Sequence, residues 1–138
     1  MESLVPILFI FALASAYGIW YRSSRGKVKS SARAASAAID PALLGGELGD
    51  EATLVQFSSA FCTPCRMTRT LITDVIADMP GVRHLDIDAE KNLELVRKLD
   101  IRSTPTTLFL DKQGVERGRA VGAPKRSQLI EAIEALRS

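Results

Sequence analysis

Apolar and polar residues follow three successive patterns along the chain. Leu4 to Tyr21 (LVPILFIFALASAYGIWY) is a run of 18 residues without a charge. A helix of that length rises about 1.5 Å per residue and covers roughly 27 Å, close to one hydrocarbon core. Trp20 and Tyr21 fall where such a span emerges, and Pro6 falls in its first turn, where a missing N–H costs little. Residues 22–40 have no apolar period. Rich in Ser, Ala, Arg and Lys, they read as a flexible tether, helical in part through SARAASAA. Leu43-Leu44, followed by Gly45-Gly46 and Gly49-Asp50, marks a turn-rich entry to what comes next.

From Thr53 the pattern is that of strands alternating with helices. Thr53 to Ser58 is a short run of β-branched and apolar residues, a strand. A helix is expected over 62–79, where Met67, Leu71, Ile72, Val75, Ile76 and Met79 recur at three- and four-residue spacing before Pro80-Gly81 ends it. Strands are expected over 82–88, 106–110 and 115–121, the last two joined by a turn at Lys112-Gln113-Gly114. Helices are expected over 90–99, with Leu93, Val96 and Leu99 on one side, and over 125–137, burying Leu129, Ile133 and Leu136. This β-α-β-α-β-β-α order implies an α/β fold, with parallel pairing among the first strands, a hairpin for the last two and helices on both faces. The chain divides into a transmembrane anchor (1–21), a basic linker (22–40) and a folded domain (41–138).

Composition adds little until charge is mapped. The chain has 138 residues, 46% hydrophobic and 25% charged, with a net charge of +2. Arg22, Arg25, Lys27, Lys29 and Arg33 crowd the start of the linker, leaving thirteen basic against fifteen acidic residues beyond it. The folded part is thus near neutral, and no nucleic-acid partner is indicated. Basic residues beside a span are retained on the cytoplasmic side, so the anchor is expected to be single-pass with the domain in the cytoplasm. The alternative is a cleaved signal peptide. Such peptides carry positive charge ahead of the apolar run, where only Glu2 stands, although Ala12-Leu13-Ala14 imitates a cleavage site.

Both cysteines lie in Cys62-Thr63-Pro64-Cys65, which excludes a multi-disulfide scaffold. His84 is the only histidine, which argues against a four-ligand metal site and leaves the metal expectation at none. The pair follows a strand and opens a helix. Unpaired N–H groups and the positive end of the helix dipole stabilise a thiolate there, so the Cys62 pKa is expected to fall below that of a free cysteine. Cys65 lies almost one turn on, within disulfide reach, and Pro64 stiffens the bend. Two cysteines can also sit in a core without a role.

The segments TLVQFSSAFCTPCR, VRHLDID, IRSTPTTLFLDKQG and VGAPKRSQLIEAIEAL, in this order and spacing, resemble a thioredoxin domain over residues 53–137. The resemblance implies the thioredoxin fold, a central mixed sheet flanked by helices. It also implies Cys62 as nucleophile and Cys65 as resolving cysteine. Pro105 matches the family's cis-proline, although the residues alone allow an ordinary trans bond. Thr104 matches the residue whose backbone pairs with the substrate, and Gly122 a glycine that lets it approach.

Three departures stand out. Phe61 replaces the usual tryptophan and is expected to remain an apolar cover for the disulfide. Thr63-Pro64 replaces Gly-Pro between the cysteines, so the reduction potential does not carry over. Gln56 stands where the family has a buried aspartate thought to take the proton from the resolving cysteine, and His84 where it has a lysine. His84, alone or through a water, is a candidate proton relay with Gln56, against the plainer reading of a partly solvated strand histidine.

The expected function is a membrane-tethered protein-disulfide oxidoreductase without a bound cofactor. Its partners are disulfide-containing proteins, an external electron donor such as a reductase, and the membrane through residues 4–21. The alternatives are a binding or redox-sensing module with little turnover, and an exchange protein outside the cytoplasm.

Overall fold

A computed structural model describes residues 4–24, 27–30 and 38–138. Its elements are α1 (Leu4–Ser24), β1 (Val28–Ser30), α2 (Pro41–Leu44), β2 (Ala52–Ser58), α3 (Thr63–Ile76), β3 (Val82–Asp88), α4 (Leu93–Lys98), β4 (Thr106–Asp111), β5 (Glu116–Val121) and α5 (Arg126–Arg137). The strands form one mixed sheet in the order β1-β5-β4-β2-β3. As the pattern implied, β2 and β3 are parallel and β4 and β5 form a hairpin; β4 runs antiparallel to β2.

Every residue of β2 is buried, because both faces of the sheet are covered. On one face Leu54, Phe109 and Ala120 pack against Ile72 and Val75 of α3 and Leu129 and Ile133 of α5. On the other, Val55, Phe57, Leu108 and Leu110 meet Leu44, Leu95 and Ile101. A strand buried on both faces reads as a continuous apolar run instead of an alternation. Truncating Phe57 or Phe109 to Ala in such a core costs about 3–5 kcal/mol.

α1 is a 21-residue helix with mean hydropathy 1.9 over its apolar window and no buried residue, long and apolar enough to cross a membrane. The tether departs from expectation. Val28–Ser30 is not free linker but an edge strand, with Val28 opposite Ala120 and Ser30 opposite Gly118 of β5. The helical expectation for SARAASAA falls on 31–38, of which 31–37 lie outside the described residues.

Two helices are shorter than expected. α3 stops at Ile76, where Met79 N–H bonds the Ile76 carbonyl in a turn. α4 begins at Leu93 instead of 90, because the Asp88 carboxylate accepts from Glu90 N–H and the Asn92 amide donates to the Asp88 carbonyl. Such local side-chain bonds offer the backbone a turn in place of a helix.

Candidate functional site

Cys62 is the N-cap of α3, with extended backbone (φ −94°, ψ 102°), and its Sγ accepts from the Cys65 N–H at 3.2 Å. Pro64, in the first turn, gives up an N–H that had no helical partner to lose. The turn brings the Cα atoms within 5.2 Å, and the sulfurs are joined in a disulfide. Cys62 is half-buried and open to a partner; Cys65 is 1% exposed. One turn of helix therefore holds an accessible sulfur and a protected one.

The chain enters this turn through Phe61, whose φ of 59° lies in the left-handed region. Its side chain is fully exposed, so it does not cover the disulfide as expected. The left-handed backbone turns it outward, where it lines a shallow hollow with Cys62, Cys65 and Arg66. Thr63 is exposed on the first turn of α3, its Oγ1 3.4 Å from Arg66 Nη2.

The loop before β4 faces this helix end. The Thr104–Pro105 bond is cis, and Thr104 Oγ1 lies 2.9 Å from Ser59 Oγ. Gly122 adopts φ 91°, and its N–H donates to the Pro105 carbonyl at 2.8 Å. Pro64, Thr104, Pro105 and Gly122 line one hollow.

Beneath Cys65 the side chains are polar. Gln56 is completely buried; its Nε2 donates to the Cys65 carbonyl at 2.8 Å and to Ser58 Oγ at 3.1 Å. Gln56 Oε1 lies 3.0 Å from His84 Nε2. With the amide nitrogen committed to two acceptors, Oε1 must accept, so His84 carries its hydrogen on Nε2. Ser58 Oγ in turn donates to Asp86 Oδ1 at 2.8 Å, and Arg69 Nε donates to Asp86 Oδ2 at 2.5 Å. Burial lowers the His84 pKa from 6.5, the Asp86 charge opposes that shift, and the Arg69 charge adds to it. The net shift favours the neutral imidazole. These bonds link it to the Cys65 backbone through Gln56.

The thioredoxin family profile matches residues 46–135. The chain belongs to the thioredoxin family. It is 35% identical over 85 residues to a thioredoxin of Rickettsia bellii, covering 61% of this chain and 80% of that protein. It is 32% identical over 83 residues to thioredoxin H5 of rice (Oryza sativa subsp. japonica), covering 60% of each. Among solved structures it resembles thioredoxin NaTrxh from Nicotiana alata, with TM-score 0.58, 30% identity and coverage of 64% of this chain and 76% of that one. Spinach chloroplast thioredoxin f is as similar, with TM-score 0.58, 30% identity and coverage of 65% and 80%. The Cys62–Cys65 pair makes the chain a thiol–disulfide oxidoreductase of the thioredoxin type. The family profile's match begins beyond α1.

The structure joins to the site three residues that sequence reading passed over: Ser58, Arg69 and Asp86. Parity along paired strands carries a signal for two of them. Leu54, Gln56 and Ser58 share one face of β2, and His84 and Asp86 lie beside them in the parallel register of β3. Arg69 sits one helical turn beyond Cys65 on α3.

Proposed function

We propose that this chain is a membrane-tethered protein-disulfide reductase. The observation that carries the reading is the inequality of the two sulfurs: Cys62 accessible at the start of α3, Cys65 almost wholly buried behind it. Reduced Cys62, favoured as thiolate by the helix N-terminus, attacks one sulfur of a substrate disulfide. A Cys62–substrate bond forms, the substrate S–S bond breaks, and the other substrate sulfur leaves as thiolate. Cys65, once deprotonated, attacks Cys62 Sγ, releasing the second substrate thiolate and forming Cys62–Cys65. An external dithiol donor returns two electrons to close the cycle.

Substrate backbone is held by Thr104, beside Pro105, with Gly122 leaving room for it. Phe61, Thr63 and Pro64 form the apolar and polar rim that the substrate meets. α1 supplies the tether, and the basic residues after it favour a cytoplasmic domain. On this reading the chain comprises an anchor (1–21), a basic linker (22–40) whose Val28–Ser30 joins the sheet, and a folded domain (41–138).

The test is the reduction potential of Cys62–Cys65 in the full chain, equilibrated with graded glutathione in detergent micelles. A potential near about −270 mV supports a reductase, and one near about −120 mV marks an oxidant and overturns the direction of flow.

One observation favours a second reading, a binding or redox-sensing module: Gln56, which cannot ionise, fills the position beneath Cys65. A Cys65→Ser chain separates the two. A reductase accumulates mixed disulfides with several proteins, whereas a sensor holds one or none.

A further inference from the structure

The register of the sheet edge fixes where the anchor meets the domain. β1 runs antiparallel to β5, with Val28 opposite Ala120. The chain therefore arrives at the end of β5 that leads through Val121 into Gly122, the glycine bonded to Pro105. Only residues 25–27 separate Ser24, the last residue of α1, from Val28. Four peptide steps reach at most about 14 Å. So short a leash confines the end of α1 to the rim of the sheet that carries the cis-proline loop. Ile19, Arg22 and Ser23 of α1 accordingly line the same hollow of about 610 Å³ as Thr104, Pro105 and Gly122.

The depth of that hollow follows from α1. Tyr17, Trp20 and Tyr21 cluster at its C-terminal end, with ring centroids 6.0 Å apart for Tyr17–Trp20 and 6.2 Å for Tyr17–Tyr21. Aromatic side chains hold a spanning helix at the membrane–water interface. Arg22 and Ser23, immediately beyond, then stand at headgroup level, and the hollow they line stands there too. The surrounding surface has matching chemistry. Arg22 and Lys125 are exposed cations suited to anionic headgroups. Phe61, beside Cys62, and Val121, beside Gly122, are exposed apolar side chains that an interface accommodates better than water.

We infer that the active-site rim faces the bilayer surface, and that the preferred substrates are disulfides in extended segments of membrane proteins directly beside their own spans. This rests on the proposed tether and on the exchange reaction at Cys62. It adds a substrate class: a disulfide far from the bilayer meets α1 and the lipid before it meets Thr104.

The test uses the full chain in vesicles of mixed zwitterionic and anionic lipid, with two anchored probe peptides. Each probe has one apolar span and a short disulfide loop. In one the loop follows the span directly; in the other a rigid 20-residue helix raises it about 30 Å. Both probes share the membrane, so confinement alone favours neither. The expected result is reduction of the surface loop at least tenfold faster than the raised loop. Inserting 20 Gly/Ser residues between Gly26 and Lys27 is expected to bring that ratio close to one, while reduction of the free loop peptide in solution is unchanged. Equal rates in the uninserted chain, or a ratio that survives the insertion, overturn the inference alone. A chain that does not float with the vesicles overturns the tether as well, and one that reduces no probe, free or anchored, overturns the reductase reading.

Discussion

The outer side of the Cys62–Cys65 disulfide is organised mainly by the main chain, with one side-chain bond between Ser59 and Thr104, whereas the inner side is organised by side chains. Outside, the Cys62 sulfur is held by a backbone N–H, Gly122 by a backbone carbonyl, and Phe61 stands in solvent without packing. Inside, Gln56 bonds the Cys65 carbonyl, Ser58 and His84, and Asp86 joins Ser58 to Arg69. Main-chain geometry survives most substitutions. A side-chain network is more fragile at its buried members: removing Gln56 or Ser58 leaves a partner unpaired away from water, whereas Arg69 and Asp86 reach solvent. The attacking half of the reaction is therefore the robust half. Of the departures from the family pattern, the one at Gln56 falls on the resolving half of the proposed reaction.

The largest break in that contrast is expected from Gln56→Leu. It removes the donor to the Cys65 carbonyl and strands the His84 Nε2–H, at a cost of about 1–3 kcal/mol. Urea unfolding reads that loss as a lower midpoint with an unchanged slope. Stopped-flow traces should show mixed-disulfide formation by Cys62 unaffected and its resolution by Cys65 altered. Equal slowing of both steps would mean that the two sides are not independent, and the comparison would fail.

Gly122→Ala acts on the outer side. Its φ of 91° is one that a side chain resists, so a loss of about 1–2 kcal/mol is expected. Gly122 lines the hollow shared with Thr104 and Pro105, so the strain falls where substrate is proposed to bind. KM for a protein disulfide should rise with kcat little changed, while a small aromatic disulfide should be reduced as before. A matching rise for the small disulfide would place the damage in the fold, not in substrate contact.

Which parts of this arrangement were legible in the sequence follows the same division. The strand before Cys62 and the helix after it could be read, because β-branched residues and three- and four-residue spacing report directly on burial. Thr104, Pro105 and Gly122 were legible only through family resemblance; nothing in their chemistry alone brings residues 104 and 122 together. Val28–Ser30 was missed because it pairs through its main chain, and three residues in a basic stretch show no alternation. The outward direction of Phe61 is not legible, because it depends on a left-handed φ, which an aromatic residue gives no reason to expect. Gln56 and His84 were noticed as departures, yet their mutual bond depends on β3 lying parallel to β2 in a register that no local pattern specifies.

The smallest effect, and the one that most sharpens the inner side, is expected from His84→Gln. Glutamine keeps an N–H donor for Gln56 Oε1 but does not titrate, so it separates hydrogen bonding from proton transfer. In the native chain burial holds the folded His84 pKa below 6.5, with Asp86 opposing and Arg69 reinforcing the shift. The unfolded chain then binds the proton first as pH falls. Stability is therefore complete above 6.5, declines as pH drops from there, and levels off below the folded value. Without His84 this component of the acid decline should vanish, leaving the carboxylates to act at lower pH. Stability curves between pH 7 and 5 check the linkage. The pH profile of mixed-disulfide resolution, measured on the same two chains, checks the relay. If the stability slope changes while the resolution profile does not, His84 only positions Gln56. If both change, a proton leaving Cys65 is sensitive to His84, which then acts through Gln56 in place of an ionisable group beneath Cys65.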